Sequence, residues 1–343
     1  MGDDWGIEPR GKRYRVRFKR NNQVYTVGTF DTVEDAQAAR DEALAALSVG
    51  QVEGNGWTAT GVLAGEQIDE DEVYERALGQ WRQTVLTEIR RQSQEVRFAS
   101  PFVVLVFLGD QHIGNPGTDY PRLFEEAELI AATPGMYPII MGDVMDQFIM
   151  LWASHIRART RFSIPDEVVL ARRYLRLLAP KCPLVCGGNH DNWAEQLTGI
   201  DFFRDTVAAL AGKVIYDKHV IKFDALAGSQ RWPVKLRHKW RGSSIYNSTH
   251  SIERDAKWSH DFRIGVGAHT HRAGLARGFE NAGDSGLAVL CGSYKRVDEY
   301  VDACGFAPHN QSTAVSVLLD GVNGSMTGFE DLDLAARVIT SLS

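Results

Sequence analysis

Five short motifs rich in Asp, Asn and His recur along the chain, and each lies at or just beyond a segment predicted to be a β-strand. Carboxylate, amide and imidazole groups together suit a borderline divalent cation such as Mn²⁺, Fe or Zn²⁺. Because ligand sites of open α/β sheets gather at the carboxyl ends of strands, we expect the motif side chains to converge. The motifs are Asp110-Gln111-His112, Gly142-Asp143-Val144-Met145-Asp146, Gly188-Asn189-His190-Asp191, His238 and Gly267-Ala268-His269-Thr270-His271.

Any one of these motifs is weak evidence, because Asp-x-His also occurs in surface turns and a histidine beside a turn is more often structural. Their order along one chain favours a shared metal site over five separate turns. The fourth motif has two candidates. His238 follows a predicted strand, whereas His250 lies in the Ser/Thr/Asn-rich stretch Y-N-S-T-H. Both candidates stay open at this point.

The scaffold that must position these side chains begins with Phe102–Leu108, which reads F-V-V-L-V-F-L. Such an apolar run is typical of a strand buried on both faces, with a short buried helix as the alternative. Pro101 and Gly109 at its ends favour the strand.

Downstream, predicted helices and strands first alternate, and then strands follow one another. This order predicts an α/β sandwich with mixed sheets. Helices are expected at residues 121–132 and 166–179, and strands at 102–108, 137–141, 183–186, 213–216, 219–224, 232–237, 262–266, 287–291 and 313–319.

A separate basic stretch lies near the amino terminus, where residues 9–20 read P-R-G-K-R-Y-R-V-R-F-K-R. Apolar and cationic residues alternate, which predicts a strand with one packed face and one cationic face. Asn21-Asn22 is a plausible turn into a second strand at 23–28, and Thr32 can cap the helix that follows. A solvated surface is the ordinary explanation of such a run. No carboxylate interrupts it, which favours phosphate contact by Arg13, Arg15, Arg17 and Lys19.

These observations divide the chain into four segments. Residues 1–48 form a small sheet-and-helix module, 49–68 a Gly-rich linker, 69–100 a connecting amphipathic helix, and 101–343 the domain that carries the metal motifs. The connecting helix is expected to pack on that domain, or to act as a spacer, through an apolar stripe of Val73, Ala77, Trp81, Val85 and Ile89.

The composition is that of an ordinary globular protein, with 343 residues, 44% hydrophobic and 24% charged residues, and a net charge of −6. Any nucleic-acid surface must therefore be local. The four cysteines form no Cys-x-x-Cys pair and suggest reduced, packed thiols. No signal peptide or membrane span is recognisable, so a soluble, cytoplasmic protein is expected.

The motifs, from Val103 to Val289, resemble the calcineurin-like metallophosphoesterase superfamily, whose pattern runs D-x-H, G-D-x-x-D, G-N-H-[DE], H and G-H-x-H. The resemblance implies an α/β fold, a four-layer αββα sandwich, that binds two divalent ions. Mn²⁺ is preferred, with Fe, Zn²⁺ or Mg²⁺ as alternatives. It implies one ion at Asp110, His112, Asp143 and His271, and the other at Asp143, Asn189, His238 and His269.

The chemistry that the resemblance implies is hydrolysis of a phosphoester. Two cations about 3.5–4 Å apart lower the pKa of a shared water and stabilise the oxygens of an in-line displacement. His190 is implied as the general acid, with Asp146 fixing its ring, and Asp191 completes the catalytic motif. The chain departs from the protein phosphatases of this superfamily, because Gln147 stands where they carry a phosphate-binding Arg. Ala268 stands where a Gly is frequent.

Residues 6–47 resemble the APETALA-type DNA-binding domain. The stretches that carry the resemblance are G-K-R-Y-R-V-R-F and Y-T-V-G-T-F-D-T-V-E-D-A-Q-A-A-R. That family is a three-stranded sheet backed by a helix, so Arg13, Arg15, Arg17 and Lys19 are implied to face DNA. The leading interpretation is a phosphodiesterase or nuclease acting on DNA, of a kind that suits a phage. The alternatives are a phosphomonoesterase or small-nucleotide phosphodiesterase that uses the module as a tether, and a non-catalytic DNA-binding protein. The oligomeric state stays open.

Overall fold

The computed structural model describes residues 4–20, 23–48, 70–92, 94–146, 162–211, 214–242, 244, 246–272, 274–281, 283–296 and 313–342. They fall into two compact units, Met1–Gln94 and Glu95–Ser343. The predicted linker at 49–68, the turn at Asn21-Asn22 and Gln147 lie outside the described residues. None of the helices within these ranges is long and apolar enough to cross a bilayer.

The amino-terminal unit is an antiparallel sheet of β1 (Asp4–Arg10), β2 (Arg13–Arg20) and β3 (Gln23–Phe30), with helices α1 (Val33–Ser48) and α2 (Glu70–Gln92). Helix α1 begins as predicted, because the Thr32 hydroxyl accepts a 3.1 Å hydrogen bond from the Asp35 amide. Its alanines pack on the apolar face of the sheet. The core of the unit consists of Val16, Val27, Ala36, Ala43 and Leu86.

The predicted apolar stripe of α2 is wrong over its first half. Val73 and Trp81 are 40% and 41% exposed, whereas Leu86 and Ile89 are buried. The Arg82 guanidinium lies 5.0 Å over the Phe30 ring, so the helix packs on the small sheet. A strict four-residue spacing advances about 40° per step around a helix. Over four steps it therefore moves from the solvent side to the packed side.

The larger unit contains two six-stranded sheets. The first has the order β15-β14-β5-β6-β7-β8, with β5 to β8 parallel, and the second has the order β12-β13-β11-β10-β9-β4. The strands are β4 (Gln94–Arg97), β5 (Phe102–Leu108), β6 (Met136–Ile140), β7 (Leu184–Cys186), β8 (Ile215–Asp217), β9 (Ile221–Ala227), β10 (Gln230–Leu236), β11 (Ile264–Gly267), β12 (Leu275–Asn281), β13 (Asp284–Leu290), β14 (Val315–Asp320) and β15 (Ser325–Phe329).

Helices cover the outer face of each sheet. Alternate residues of β5 show the layering: Val103, Leu105 and Phe107 face the second sheet, while Val104 and Val106 face helices on the other side. A further helix packs on the outer face of the second sheet. The helices are α3 (Tyr120–Ala132), α4 (Ile164–Leu178), α5 (Asn189–Thr198), α6 (Phe202–Ala211), α7 (His250–Ser259) and α8 (Leu332–Leu342). The predicted four-layer αββα sandwich, with a small three-stranded sheet at the amino terminus, is confirmed.

Every helix and strand predicted for the larger unit corresponds to an observed element, with ends shifted by three residues at most. Helices α5, α6, α7 and α8 were not predicted. Of these, α5 and α7 begin inside polar stretches that are typical of turns, at Asn189 and His250 respectively. The edge strands β4, β12 and β15 were not predicted either, because half-exposed edge strands carry few apolar residues.

Glycines let the strand ends approach one another closely. Gly142 has a φ of +89°, and a Cβ there would lie 2.5–2.7 Å from the backbone of Gly187 and Gly188. At Gly109 a Cβ would lie 2.8 Å from the Ala268 Cβ, which comes from the other sheet. Side chains at these positions would push apart the loops that carry the motifs.

We predict that Gly142→Ala destabilises the protein by at least about 2 kcal/mol, since it combines a left-handed backbone with backbone overlap. For a domain of this size that lowers Tm by about 4–8 °C in a calorimetric scan. Gly278→Ala is the matched control, because a Cβ there meets nothing within 4 Å. Equal Tm values for the two variants would contradict the close approach.

Candidate metal centre

The motif residues converge where parallel strands of both sheets end. In the first sheet they follow β5, β6 and β7, and in the second they follow β10 and β11. Three groups of side chains could each hold a metal ion, because their ligand atoms lie within 4.8 Å of one another. These groups are Asp110/His112/His271, His112/Asp143/His190 and Asp143/His238/His269.

The backbone at the candidate ligands is left-handed at five non-glycine positions. The φ values are +53° at Asp110, +48° at His112, +54° at Asp143, +71° at His269 and +49° at His271. This conformation costs roughly 1–2 kcal/mol per residue, and such strain concentrates at functional sites. Among the described residues, the one other non-glycine position with positive φ is His260. The strain is therefore focused on the metal motifs.

The first group is built around a pair of facing imidazoles. The Nε2 atoms of His112 and His271 lie 2.9 Å apart, and Asp110 Oδ1 lies 3.5 Å from the same His271 atom. His112 Nδ1 donates a 2.9 Å hydrogen bond to the Asp146 carboxylate. The Nε2 lone pair of His112 is thereby turned towards His271. Two nitrogens that bind one ion at about 2.1 Å stand roughly 3.0–3.4 Å apart, depending on the angle between the two bonds.

The second group has the same design. His238 Nδ1 donates a 2.7 Å hydrogen bond to the Met141 carbonyl, which turns Nε2 towards the site. That Nε2 lies 3.1 Å from Asp143 Oδ2. The His269 amide donates to Asp110 Oδ2 at 2.7 Å, so the loop that carries the second group is tied to a carboxylate of the first. His250, the alternative to His238, is exposed at the start of α7 and belongs to none of the three groups.

Four ligand atoms at the centre are buried and have no hydrogen-bond partner: Asp110 Oδ1, Asp143 Oδ2, Asn189 Oδ1 and His238 Nε2. Leaving a buried polar atom unsatisfied costs about 1–3 kcal/mol, and more for a charged group. Three of these atoms belong to residues of the candidate groups, and Asn189 directly precedes His190, whose amide donates to Asp143 Oδ1 at 2.8 Å. This set of oxygen and nitrogen atoms fits a divalent cation. These residues therefore fit the metal centre that the resemblance implies.

The charges of the cluster are arranged for cation binding. Although burial opposes it, His271 lowers the pKa of Asp110 and His238 lowers that of Asp143. Burial lowers the pKa of His112 and of His269 to about 4. The carboxylates are thus ionised and these two imidazoles are neutral, which are the ligand forms. The Asp143 carboxylate outweighs burial at His238 and raises its pKa to about 10, so this part of the cluster favours positive charge.

His190 lies beside this cluster, with Nε2 4.0 Å from Asp143 Oδ2. Its ring packs on Trp193, with centroids 3.9 Å apart. The resemblance implied that Asp146 fixes this ring, and it does so through its backbone carbonyl, which accepts from His190 Nδ1. The Asp146 carboxylate contacts His112 and Asn115 instead. One residue therefore orients two imidazoles by two different groups.

Asp191 lies behind the cluster and has a positioning role. Its carboxylate accepts hydrogen bonds from the amides of Asp143, Val144 and Met145, at 2.7–3.3 Å, and from Gly188 at 3.1 Å. The last of these makes it the capping-box residue of α5. Burial and the Asp143 carboxylate raise the pKa of Asp191 to about 7, against these amides, which favour the charged form.

Several residues around the centre carry no signal that was recognised in the sequence. Asn115 donates to Asp146 at 3.0 Å, and the Lys295 ammonium lies 3.9 Å from the same carboxylate with its side chain 3% exposed. Trp193 supports the His190 ring. Asn115 could have been found from its place three residues after His112. Lys295 follows β13 by five residues, and no spacing rule points to it.

The amino-terminal cations lie in the other unit and have acidic partners. Arg15 and Arg17 contact Glu8 at 3.2 and 2.9 Å, because Glu8 is opposite Arg15 in the β1–β2 register. Arg13 contacts Asp31 at 2.6 Å. The expectation of an uninterrupted cationic face is therefore wrong, since a neighbouring strand supplies the carboxylate. The side chain of Lys19 lies outside the described residues.

No family model and no curated protein matches the chain. Among solved structures it is similar to Vacuolar Protein Sorting 29 from Cryptosporidium parvum, with a TM-score of 0.33 and 16% identity over 67% of this chain and 99% of that chain. Chaetomium thermophilum Vps29 gives 0.34 and 14% over 66% and 95%. The Pseudomonas putida nuclease MPE gives 0.31 and 12% over 66% and 87%.

We predict that His238→Ala removes most of the stabilisation by Mn²⁺, whereas His250→Ala retains it. A ligand present at 100 times its Kd stabilises a protein by about 2.7 kcal/mol. A 100-fold weaker Kd reduces that gain to about 0.4 kcal/mol. The measurement is Tm with Mn²⁺ minus Tm with chelator for each variant, so that any cost to folding cancels. The opposite ranking would make His250 the ligand.

Proposed function

We propose that the larger unit is a divalent-metal-dependent phosphodiesterase that cleaves DNA. The observation that carries the proposal is the set of four buried ligand atoms without partners, on Asp110, Asp143, Asn189 and His238. Strained strand ends from both sheets hold them in place. The αββα fold agrees with the superfamily that the motifs resemble.

Asp110, His112 and His271 would hold one ion, and Asp143, His238 and His269 the other, with Asn189 beside them. When bound, such a pair of ions activates water as a nucleophile and offsets the charge that develops on the phosphate oxygens. Asp143 is grouped with His112, which belongs to the first set, and with His238 and His269 of its own set, which suits a ligand shared between the ions.

His190 is the residue best placed to move a proton. A carbonyl can only accept, so the contact with the Asp146 carbonyl places the proton of a neutral His190 on Nδ1. Its Nε2 faces the cluster beside Asp143. When it is protonated there, Nε2 can deliver a proton to the departing oxygen of the ester. Trp193 covers one ring face and keeps that nitrogen in position.

The choice of a diester rests on two features. Gln147 stands where related phosphatases carry a phosphate-binding Arg. A small sheet with three arginines on one strand precedes the metal-binding unit. The ion pairs of Arg15 and Arg17 with Glu8 are half-buried and still open to solvent. Ion pairs near the surface contribute little, so a DNA phosphate can replace the carboxylate.

The same ion pairs favour a second candidate, a phosphoesterase for small substrates. Glu8 and Asp31 neutralise much of the cationic strand, so that the module would serve only as a tether. The two candidates differ in the substrates that they predict. Under the leading proposal DNA should be cleaved as well as bis-p-nitrophenyl phosphate. Under the second, one or both of the small esters, bis-p-nitrophenyl phosphate and p-nitrophenyl phosphate, should be cleaved and DNA should not. A panel of these three substrates with Mn²⁺ decides between them.

We predict that His190→Ala slows a dinucleotide such as TpT about 10²–10⁴-fold, and bis-p-nitrophenyl phosphate far less. An alkoxide leaving group needs the proton, whereas p-nitrophenolate leaves without it. Rates are compared at saturating Mn²⁺, with metal content measured for both proteins. Equal losses on the two substrates, with metal still bound, would show that His190 only shapes the site.

We predict that Glu8→Gln tightens duplex DNA binding severalfold, because it releases Arg15 and Arg17. Changing Arg13, Arg15 and Arg17 together to Gln should weaken binding. The slope of log K against log salt concentration should become less steep by roughly two to three, because each phosphate contact contributes about 0.9. Binding is measured by anisotropy with the full chain in chelator.

Glu42→Gln is the matched control for Glu8→Gln, since it removes the same charge from an exposed position on α1. If Glu8→Gln and Glu42→Gln bind DNA alike, and the triple variant binds as the parent does, the small sheet does not contact DNA.

A further inference from the structure

A cluster of cations lies beside the metal centre on the same unit, and we call it the basic rim. It consists of Lys239, Arg241, Arg254, Arg272 and Arg277, together with the aromatic Tyr246. Four of the cations are exposed, and Arg272 is half-buried. The proposed function makes no use of these residues.

The basic rim is joined directly to the candidate ligands. Lys239 follows His238 and Arg272 follows His271 in the chain. Lys239 also lies near enough to His269 for their charges to interact. A strand of phosphates that reached the metal centre would therefore meet Lys239 and Arg272 first.

Hydrogen bonds hold the parts of the rim together. Arg272 donates to Ser248 Oγ at 2.9 Å, and Arg277 donates to Asn247 Oδ1 at 3.3 Å. The Arg254 guanidinium donates to the Arg241 carbonyl at 2.6 Å. Asn247 and Ser248 directly follow Tyr246 in the chain. These bonds tie the segment that carries Tyr246 to the loop of His271.

The rim cations differ from the amino-terminal arginines in their partners. Within the part of the chain that the structure describes, the rim guanidinium groups bond to a hydroxyl, an amide oxygen and a carbonyl, and no carboxylate pairs with any of the five cations. Arg13, Arg15 and Arg17 each contact a carboxylate. A phosphate can therefore bind the rim without displacing an acidic side chain.

Tyr246 is 93% exposed, the highest value among the large hydrophobic residues that the structure describes. Trp240, six residues earlier in the chain, shows the ordinary alternative: that ring packs on Phe262, with centroids 5.7 Å apart, and its Nε1 donates to the Val266 carbonyl. An exposed aromatic ring on a segment bonded to arginines is the arrangement that proteins use to stack a base beside a bound phosphate backbone.

We infer that the basic rim binds single-stranded DNA, with phosphates on its cations and one base stacked on Tyr246. An unpaired strand is required, because a base inside a duplex has no free face for the tyrosine ring. The inference rests on the proposed function and narrows its substrate to DNA with an unpaired strand at the metal centre.

The test compares Tyr246→Ala with Trp258→Ala in the full chain without metal. Trp258 is the matched control because it is also highly exposed, at 83%, and lies on α7 one turn after Arg254, so it shows whether the loss of any exposed ring near the rim has the same effect. Binding of a labelled thymidine oligonucleotide should fall about 5- to 150-fold in Tyr246→Ala, from the loss of one base–aromatic stack. Tyr246→Trp should retain the affinity, and Trp258→Ala should match the parent.

An oligonucleotide with abasic sites separates stacking from charge. Tyr246→Ala should bind it as the parent does, whereas Lys239→Gln with Arg241→Gln should flatten the salt slope on both oligonucleotides by about 0.7 per lost contact. An equal loss in Tyr246→Ala and Trp258→Ala, or an equal loss on both oligonucleotides, overturns the inference. Hydrolysis of bis-p-nitrophenyl phosphate by the parent is measured separately, so a failure of the proposed catalysis is seen independently of strand binding.

Discussion

The larger unit is organised around two buried carboxylates, Asp110 and Asp143, that share a small volume with the motif histidines. Burying two like charges is costly unless opposite charges or a metal offset them. Hydrogen bonds to Asp146 and Met141 turn the Nε2 atoms of His112 and His238 inward. The inward-facing oxygens Asp110 Oδ1 and Asp143 Oδ2 have no hydrogen-bond partner. The arrangement is thus built to be completed by positive charge.

Several features of the fold bring the motif residues of the two sheets together. Strand β5 is apolar on both faces because it lies between the helices and the second sheet, and its end delivers Asp110 and His112. Gly109 and Gly142 let the loops of the two sheets approach. Asp191 then fixes the turn after Asp143 to the start of α5, so that Asn189 and His190 arrive at the same place. The left-handed φ values at five candidate ligand residues show that the backbone adopts an unfavourable conformation where it places these side chains.

Much of this could be predicted from the sequence, because polar residues after apolar strands report where parallel strands end. The sequence does not show whether a residue acts through its side chain or its backbone. Asp146 does both, because its carboxylate holds His112 and its backbone carbonyl holds His190. Nor could it show that Glu8 lies across from Arg15, since strand register depends on pairing between distant residues. Lys295 reaches Asp146 through tertiary packing alone, which has no local signature.

The most direct test of the metal centre is the number of Mn²⁺ ions bound per chain, measured by equilibrium dialysis and elemental analysis. The parent should bind two. Asp143→Asn should lose most of both, because Asp143 is grouped with His112 of one site and with His238 and His269 of the other, and Asn189→Ala should mainly weaken one. Two full equivalents retained by Asp143→Asn, or no Mn²⁺ bound by the folded parent, would contradict the account.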